Sequence, residues 1–564
     1  MTVSPQSLKH LPFLFLLILT TGLYFAILWT SQSHVDGDEG VVGIMAKHII
    51  DQDANPVFFY GQAYGGGGAI EAYLAVIPFL LFGISSISLK LVALVFAILT
   101  LLLTYCFCLK HFDLTTALFS STILAATTAL IEWHFKVRGG YILLPFLSLL
   151  ILWIFVEIAY EKKCKKVYFF LLGFCSGFAY YNMELIIPLL ITIFTASFYW
   201  KKIFWKKQAL VPMLAGVLVG VFPLLHFNLS HQFANFKSLF QQTEGRLFTR
   251  AIENFIPLFT EYLPGFFSSQ NSEFVGTVGL TAYLEYLAFA FLIIWVFVFH
   301  FSSLIELFKG FLKAKHPESP PPLIVLFLLY LLIHLLINLV TKDTGRSLRY
   351  FVSLFPMLAV LAGHTNAILI KKFQGPLKFF AAAPLLLIAG LGWSNHFHSI
   401  HASMVSDDVW KDGKRVETVL TSGETVPAII AYLKKEKIKT FRSTYFLQWR
   451  ILFESQEELI GSSYGLVPRS VRYPAYDQRV FDAERIAFIL HQEDFQLKLF
   501  QASSKLKYFG PPHQVGEYLI YIGQQPQSFK IQMDANNRSF DLKFFDLRVK
   551  QGQLIDLEKE RQNE

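Results

Sequence analysis

Charged residues are scarce in this sequence. Asp, Glu, Lys and Arg make up 16% of the 564 residues, whereas hydrophobic residues make up 54% and aromatic residues 16%. The mean hydropathy is +0.46. Soluble globular domains carry about 25% charged residues. The composition therefore excludes an ordinary soluble protein and predicts a polytopic membrane protein followed by a more polar region.

Cysteine is also scarce, and its spacing excludes two kinds of site. The four cysteines all lie in the first third of the chain and contain no CxxC pair, which argues against a thiolate zinc site. The final part of the chain has none, so it has no disulfide framework. No HExxH or other paired-histidine spacing occurs. We therefore expect neither a metal site nor a cofactor.

The basic residues do not form a polar face. The net charge is +8, but Lys and Arg lie in short clusters between apolar runs. A nucleic-acid-binding protein would gather them on one surface. The clusters instead resemble topology signals, and we expect no nucleic-acid partner.

Long apolar runs are abundant. A membrane span needs about 20 mainly apolar residues, and the sequence predicts eleven of them. The first is interpreted as a retained span because no small-x-small cleavage site follows it. The run 69–83 contains Glu71 and Pro78 and is short, so we place it outside, on the bilayer surface. The predicted spans are 11–30, 86–109, 114–131, 141–160, 167–182, 184–200, 209–227, 280–301, 323–341, 351–370 and 379–393.

The lysine clusters decide the topology. If the N-terminus is cytoplasmic and 69–83 does not cross, all four clusters face the cytoplasm, as the positive-inside rule requires. If 69–83 crossed, all four would face outside. The clusters are 162–166, 201–207, 309–315 and 371–378.

The same topology predicts two domains. Residues 1–393 would form a mainly α transmembrane helical bundle with interfacial helices in its first outside loop. Residues 394–564 change to mixed charge and are typical of a soluble α/β domain outside the cytoplasm.

The stretch HVDGDEG, residues 34–40, places Asp36, Asp38 and Glu39 directly after the first span. One interpretation is a capping box, with Asp36 at the N-cap and Glu39 three residues later. The other is a catalytic carboxylate. The two are compatible, because one acid can cap the helix while another reacts.

Cations in outside loops oppose the topology rule and suggest another role. One such loop carries Lys136 and Arg138, and a later one carries Arg346, Arg349 and Tyr350. Arg offers a planar fork of donors and Lys a point charge to a phosphate. Snorkelling to lipid headgroups is the alternative for the first pair. Carboxylates in one loop and cations in two others indicate a site that handles an anion and a proton.

Two further outside features are ambiguous. GQAYGGGG, residues 61–68, is either a backbone nest for an anion or a flexible turn, and it is not a Walker A motif. Glu184, at the outside end of the sixth predicted span, faces a cavity or lies at the membrane interface.

The order of these features resembles the GT-C superfamily of polytopic glycosyltransferases, which includes protein mannosyltransferases and lipid A aminoarabinose transferases. The resemblance covers about residues 10–370. It rests on the Asp-Glu pair after the first span and on FYGQAYGGGGAIEAYLAVIPFLLFGISSISLKL and FKVRGGYIL, which are most similar to a bacterial branch.

The resemblance implies a sugar donor on polyprenyl or dolichyl phosphate, an outside active site and inversion at the anomeric carbon. Asp38 matches the family's general base and Glu39 its partner. Arg349 and Tyr350 resemble a pair near the donor phosphate. One departure is the loop 132–140, where several members have a second Asp and this chain has Glu132 instead.

Together with the predicted topology, the resemblance implies a glycosyltransferase of the bacterial inner membrane with its C-terminal domain in the periplasm. The acceptor would be a lipid, glycan or protein. Asp38 and Glu39 are assigned to catalysis. A secondary transporter would instead carry charges within its spans and show repeated halves, and a non-catalytic envelope scaffold is the third interpretation. The residues assigned to the donor phosphate are Lys136, Arg138, Arg346, Arg349 and Tyr350, and those assigned to substrate binding are Gln62, Tyr64 and Glu184.

Overall fold

The structure is a computed structural model, and it divides the chain into two compact units. The first, called the helical unit, contains Met1–Ser31, Ala63–Glu71 and Lys90–Ala402. The second, called the mixed unit, contains Gln32–Gln62, Ala72–Leu89 and Ser403–Glu564, so much of the first predicted outside loop belongs to the same unit as the C-terminal residues. The structure describes residues 8–30, 35–61, 69–127, 135–233, 247–265, 280–313, 321–340, 348–399, 404–411, 414–463, 472–525, 547–550 and 553–556.

Helices occur at every predicted span, but several of them are short. Six described helices are long and apolar enough to cross a bilayer. The pair Lys207–Gly220 and Phe222–Ser230 would be a seventh, although the two helices meet at 61°. The six are Leu11–Thr30, Ser86–His111, Leu280–Lys309, Leu323–Val340, Arg349–Lys372 and Leu377–Phe397.

The remaining apolar helices of the described residues have at most 17 residues, so eleven spans are not confirmed. A helix rises about 1.5 Å per residue and a bilayer core is about 30 Å thick. The 13 residues of Leu114–Ala126 therefore reach only about 20 Å. Pro223 lies in the first turn of Phe222–Ser230, where it ends the preceding helix. The other short helices at predicted spans are Leu144–Ala159, Lys166–Asn182 and Ile187–Tyr199.

Close packing in the helical unit depends on small residues. Gly173 and Gly177 of Lys166–Asn182 face the helix Lys207–Gly220. A Cβ atom added at Gly173 would lie 1.9 Å from the Met213 carbonyl oxygen, and one at Gly177 would lie 2.6 Å from that of Val217. Small residues four apart let two helix backbones approach closely where lipid offers no hydrophobic drive to pack.

The mixed unit contains a five-stranded sheet of order β4-β3-β5-β7-β6. The neighbours β4, β3 and β5 are parallel, whereas β7 is antiparallel to both β5 and β6. Separate hairpins pair β1 with β2 and β8 with β9. This agrees with an α/β C-terminal region. The strands are β1 Met404–Lys411, β2 Lys414–Ser422, β3 Thr440–Ser443, β4 Ile460–Ser463, β5 Arg485–His491, β6 His513–Val515, β7 Tyr518–Gln524, β8 Leu547–Lys550 and β9 Gln553–Asp556.

Amphipathic helices cover this sheet. The helix Thr425–Lys435 buries Val426, Ile429 and Leu433, which recur at the spacing of one helix face. They pack with Phe441 of β3 and Ile489 of β5 in one apolar core. The other helices of this region are Tyr445–Glu454, Pro474–Asp482 and Phe495–Ala502.

The first-loop helix Gly37–Asp51, called the Asp38 helix, packs against Tyr445–Glu454, called the Tyr445 helix, within the mixed unit. Three glycines spaced three apart make the contact. A Cβ atom at Gly37 would lie 2.5 Å from Phe446 Cα, and one at Gly40 would lie 2.5 Å from the Trp449 carbonyl oxygen. Gly43 similarly faces the Phe453 ring. The sequence GDEGVVG therefore fixes the distance between the two helices.

Candidate active site

The three acids of HVDGDEG have different positions in the Asp38 helix. Asp36 is the N-cap, and its Oδ1 accepts a hydrogen bond of 3.0 Å from the Glu39 amide. The Asp36 amide in turn donates to Glu39 Oε2 at 3.0 Å. The capping box is therefore present, and Glu39 is buried with 1% exposure. Asp38 takes no part in the box, and its side chain is 30% exposed.

Asp38 meets two residues from the C-terminal part of the mixed unit. The Tyr445 hydroxyl donates to Asp38 Oδ1 at 2.7 Å. Arg472 Nη2 lies 3.9 Å from the same oxygen. Burial and the nearby Asp38 carboxylate raise the pKa of Tyr445 well above its usual value, so the phenol remains a donor. A phenol and a guanidinium both favour a negatively charged carboxylate.

A second polar cluster, called the Glu457 cluster, lies near the C-terminal end of the Asp38 helix. Lys47 Nζ donates to Glu457 Oε2 at 2.7 Å. His48 Nε2 lies 3.0 Å from Glu457 Oε1, and the Tyr476 hydroxyl donates to that oxygen. The backbone of Glu457 has φ +68°, which L-residues rarely adopt. These contacts therefore hold a strained turn against the helix that carries Asp38.

Acid should weaken the mixed unit through Glu457. Burial raises the pKa of this carboxyl, but hydrogen bonds from His48, Lys47 and Tyr476 outweigh burial and lower it to about 2. A lowered carboxyl pKa contributes stability above the ordinary value of about 4.3 that is lost as pH falls toward 2. We expect Glu457→Gln to reduce the free energy of unfolding at pH 7 by about 1–3 kcal/mol and to flatten its acid dependence.

Urea unfolding followed by tryptophan fluorescence between pH 3 and 7 measures this effect. Glu458→Gln is the matched control, because the Glu458 side chain is 65% exposed and forms a surface ion pair with Lys434. Equal losses in the two variants, or an unchanged acid dependence in Glu457→Gln, would show that the cluster does not stabilise the unit.

The first cationic loop is held in place within the helical unit. Glu71, fully buried, accepts hydrogen bonds from the Gly139 amide at 2.6 Å and the Ile142 amide at 3.2 Å. Asn182 Nδ2 donates to the Gly140 carbonyl at 2.7 Å. The two glycines have φ of +99° and +109°, a conformation that favours glycine. The conformation of this loop is therefore fixed by buried polar partners.

The two predicted cations of this loop are partly or largely buried. Lys136 is 8% exposed, and Arg138 is half-buried. Lys90 is almost fully buried, and its Nζ donates to the Phe135 carbonyl at 3.0 Å, directly before Lys136. Such burial differs from cations that reach freely into lipid headgroups. The loop therefore concentrates positive charge at fixed positions.

Arg349 and Tyr350, the second pair predicted to bind the donor phosphate, contact each other. Arg349 and Tyr350 lie in a 3-10 helix, Leu348–Leu354, and both are half-buried. Arg349 Nη2 donates to the Tyr350 hydroxyl at 3.1 Å, and its guanidinium lies 5.0 Å from the centre of the same ring. His334 Nε2 donates to the Tyr350 carbonyl at 3.0 Å. The stacking restricts the guanidinium to a small range of orientations.

Of the remaining predicted site residues, the structure describes Glu184. Glu184 begins a short 3-10 helix, Glu184–Ile186, and is half-buried. Gln62, Tyr64 and Arg346 lie outside the described residues, as does Glu132. In the part of the chain that the structure describes, no three His, Cys, Asp or Glu residues are grouped as metal ligands.

Comparisons with known proteins identify the fold. No protein-family model and no curated protein sequence matches the chain. ArnT from Cupriavidus metallidurans bound to undecaprenyl phosphate is similar in structure, with a TM-score of 0.58 at 13% identity over 90% of this chain and 97% of that one. Its apo state gives 0.56 at 14% identity over 92% and 99%.

An archaeal structure is also similar. The Archaeoglobus fulgidus oligosaccharyltransferase tethered with an acceptor peptide gives a TM-score of 0.50 at 12% identity over 93% of this chain and 75% of that one. Both it and ArnT, a lipid A aminoarabinose transferase, are GT-C proteins. The fold of this chain is the GT-C fold. The resemblance inferred from the Asp-Glu pair and the first outside loop is therefore confirmed at the level of fold.

A GT-C fold with six long apolar helices among the described residues indicates an integral membrane protein. Within it, the sequence predictions named Asp38 but missed its partners Tyr445 and Arg472. Tyr445 is 407 residues away, and no spacing pattern links the two. In the sequence, Glu71 is only a charge that opposes a span. Its position three residues into a helix offered no signal that it accepts amides from a distant loop.

Proposed function

We propose that this protein is a membrane glycosyltransferase that moves a sugar from a polyprenyl or dolichyl phosphate to an acceptor outside the cytoplasm, with inversion. The observation that carries the proposal is that the three acids of HVDGDEG have different contacts. In a GT-C fold, Asp36 and Glu39 cap the helix, whereas Asp38 is the partly exposed acid beside a tyrosine and an arginine. One similar structure is bound to undecaprenyl phosphate, which supports the donor class.

The reaction is a single displacement. An acceptor hydroxyl or amine attacks the anomeric carbon while Asp38 accepts its proton as general base. The bond between that carbon and the phosphate oxygen breaks, and the lipid phosphate leaves with the electron pair. Attack opposite to the leaving group inverts the anomeric carbon. Glu39 contributes by holding the turn that carries Asp38, since its carboxylate completes the capping box.

Negative charge grows on the lipid phosphate as the bond breaks. Fixed cations stabilise such charge better than mobile ones, because they need not reorganise during the reaction. We assign this role to Lys136, Arg138, Arg346, Arg349 and Tyr350. Three features of these residues, among those that the structure describes, support the assignment. Lys136 is buried, the loop that contains Arg138 is hydrogen-bonded to Glu71, and Arg349 stacks on the Tyr350 ring. Gln62, Tyr64 and Glu184 are assigned to substrate binding.

The proposal includes a location and a topology. The protein would lie in a bacterial inner membrane with eleven spans, a cytoplasmic N-terminus and residues 394–564 in the periplasm. Residues 1–393 would carry the transmembrane catalytic domain. The lysine clusters of the sequence support this orientation through the positive-inside rule.

The direct test is a transfer assay with the full chain in proteoliposomes. Polyprenyl phosphates carrying a panel of radiolabelled hexoses and pentoses would be supplied together with cell-envelope lipid, glycan and protein fractions. We expect one donor to release polyprenyl phosphate while its sugar moves to one fraction. Failure of every donor to release polyprenyl phosphate above protein-free vesicles would refute the proposal.

A further inference from the structure

Two C-terminal residues converge on one oxygen of Asp38. The Tyr445 hydroxyl donates to Asp38 Oδ1 at 2.7 Å, and Arg472 Nη2 lies 3.9 Å from that atom. Arg472 Nε also donates to the Tyr445 hydroxyl at 2.8 Å. The arginine therefore orients the tyrosine, and the tyrosine orients the carboxylate. All three belong to the mixed unit.

Arg472 is fixed by its surroundings. Its guanidinium lies 5.0 Å from the centre of the Phe59 ring and 5.3 Å from that of the Tyr445 ring. The side chain is only 10% exposed. Contacts with two aromatic faces and a directed hydrogen bond leave little rotamer freedom to a long side chain. Arg472 is thus unlike an arginine that samples the surface.

Tyr445 is fixed by its helix. It is the first residue of the Tyr445 helix, after the N-cap Thr444, whose side chain accepts from the Leu447 amide. The next residue, Phe446, packs directly on Gly37 of the Asp38 helix. The phenol therefore reaches Asp38 from a backbone that the glycine contact holds at a set distance.

We infer that Tyr445 and Arg472 are positioning residues that orient the Asp38 carboxylate and keep it negatively charged for its role as the base. The inference rests on the proposed function and adds that the C-terminal region belongs to the catalytic machinery. A general base must hold one rotamer in the correct protonation state, and small displacements of a catalytic group are costly. The Tyr445 hydroxyl and the Arg472 guanidinium, both directed at Asp38 Oδ1, favour a single rotamer and the charged form of the carboxylate.

A purely structural cross-link is the competing explanation. It would attach the C-terminal helix to the first-loop helix without any effect on the chemistry. The two explanations differ in kinetics, because a cross-link changes stability alone, whereas a positioning residue changes the rate constant and its pH dependence.

The test compares Tyr445→Phe with Tyr521→Phe in the proteoliposome assay. Tyr521 of β7 is a matched control, since it is 3% exposed and its hydroxyl accepts from Gln501 Nε2 instead of donating to Asp38. We expect Tyr445→Phe to lower kcat about 10-fold to 100-fold with little change in the donor KM. The acidic limb of its pH–rate profile should move to higher pH, because a carboxylate that loses a donor is protonated more easily.

Arg472→Lys and Arg472→Gln extend the comparison. The lysine variant keeps the charge but loses the fork and the stacking, so we expect its kcat between those of the wild type and the glutamine variant. A wild-type kcat and pH profile in Tyr445→Phe, with or without lower stability, would overturn the inference and leave the proposed function intact. A wild type that transfers no sugar would overturn both.

Discussion

Asp38→Asn should lower the rate of sugar transfer at least about 100-fold while the protein remains folded. Asparagine has nearly the shape of aspartate and still offers an oxygen to the Tyr445 hydroxyl, which lies 2.7 Å from Asp38 Oδ1. It cannot accept the acceptor's proton, so we expect kcat to fall about 100-fold to 10,000-fold. Release of polyprenyl phosphate in proteoliposomes measures the rate, and gel filtration in detergent measures folding.

Asp51→Asn is the matched control on the same helix. The Asp51 side chain is 44% exposed and pairs with Lys47, and such surface pairs contribute little. We expect this variant to keep the wild-type rate. Wild-type transfer by Asp38→Asn would refute its assignment as the base, and equal losses in the two variants would show damage to the helix instead.

Glu39→Gln tests whether Glu39 acts only in the capping box or also takes part in the reaction. Glutamine also completes a capping box, so the variant should retain both folding and most of the activity if Glu39 only holds the turn. A loss as large as that of Asp38→Asn would make the Glu39 charge part of the reaction.

Local sequence patterns predicted the features that depend on neighbouring residues. The spacing of Asp36 and Glu39 indicated a capping box, and the structure contains it because both partners lie within one helical turn. The apolar runs likewise predicted where helices occur, because an apolar run is a property of neighbouring residues. The number of spans is a different quantity, since it depends on where each helix ends. Leu114–Ala126 has only 13 residues, and Pro223 follows a sharp bend.

The sequence does not identify both partners of a contact between distant residues. The glycines of GDEGVVG lie three apart, which indicates a close approach, but nothing identifies Phe446, Trp449 and Phe453 as the opposing surface. Arg472 is likewise an ordinary basic residue of a mixed-charge region until its ring contacts are known. A single sequence can show that one helix has a surface suited to close contact. Which residues lie against that surface is decided by tertiary packing.

The second large expected effect is a rise in the donor KM when Arg349, which contacts Tyr350, is removed. If Arg349 binds the donor phosphate, Arg349→Ala should raise the KM for the polyprenyl-phosphate sugar about 10-fold to 100-fold, the usual range for a lost hydrogen bond to a charged group. The KM for the acceptor should change little. Arg479→Ala is the control, because Arg479 is exposed on the helix Pro474–Asp482.

Tyr350→Phe then tests whether the pair acts together. The Tyr350 hydroxyl accepts from Arg349 Nη2 at 3.1 Å, while stacking at 5.0 Å needs only the ring. A phenylalanine therefore keeps the stacking and loses the hydrogen bond, and we expect a smaller rise in donor KM than in Arg349→Ala. A rise confined to the acceptor KM in either variant would assign the pair to the acceptor and refute the phosphate role. Steady-state kinetics with each substrate varied in turn distinguishes these outcomes, because a phosphate-binding cation acts on the substrate that carries the phosphate.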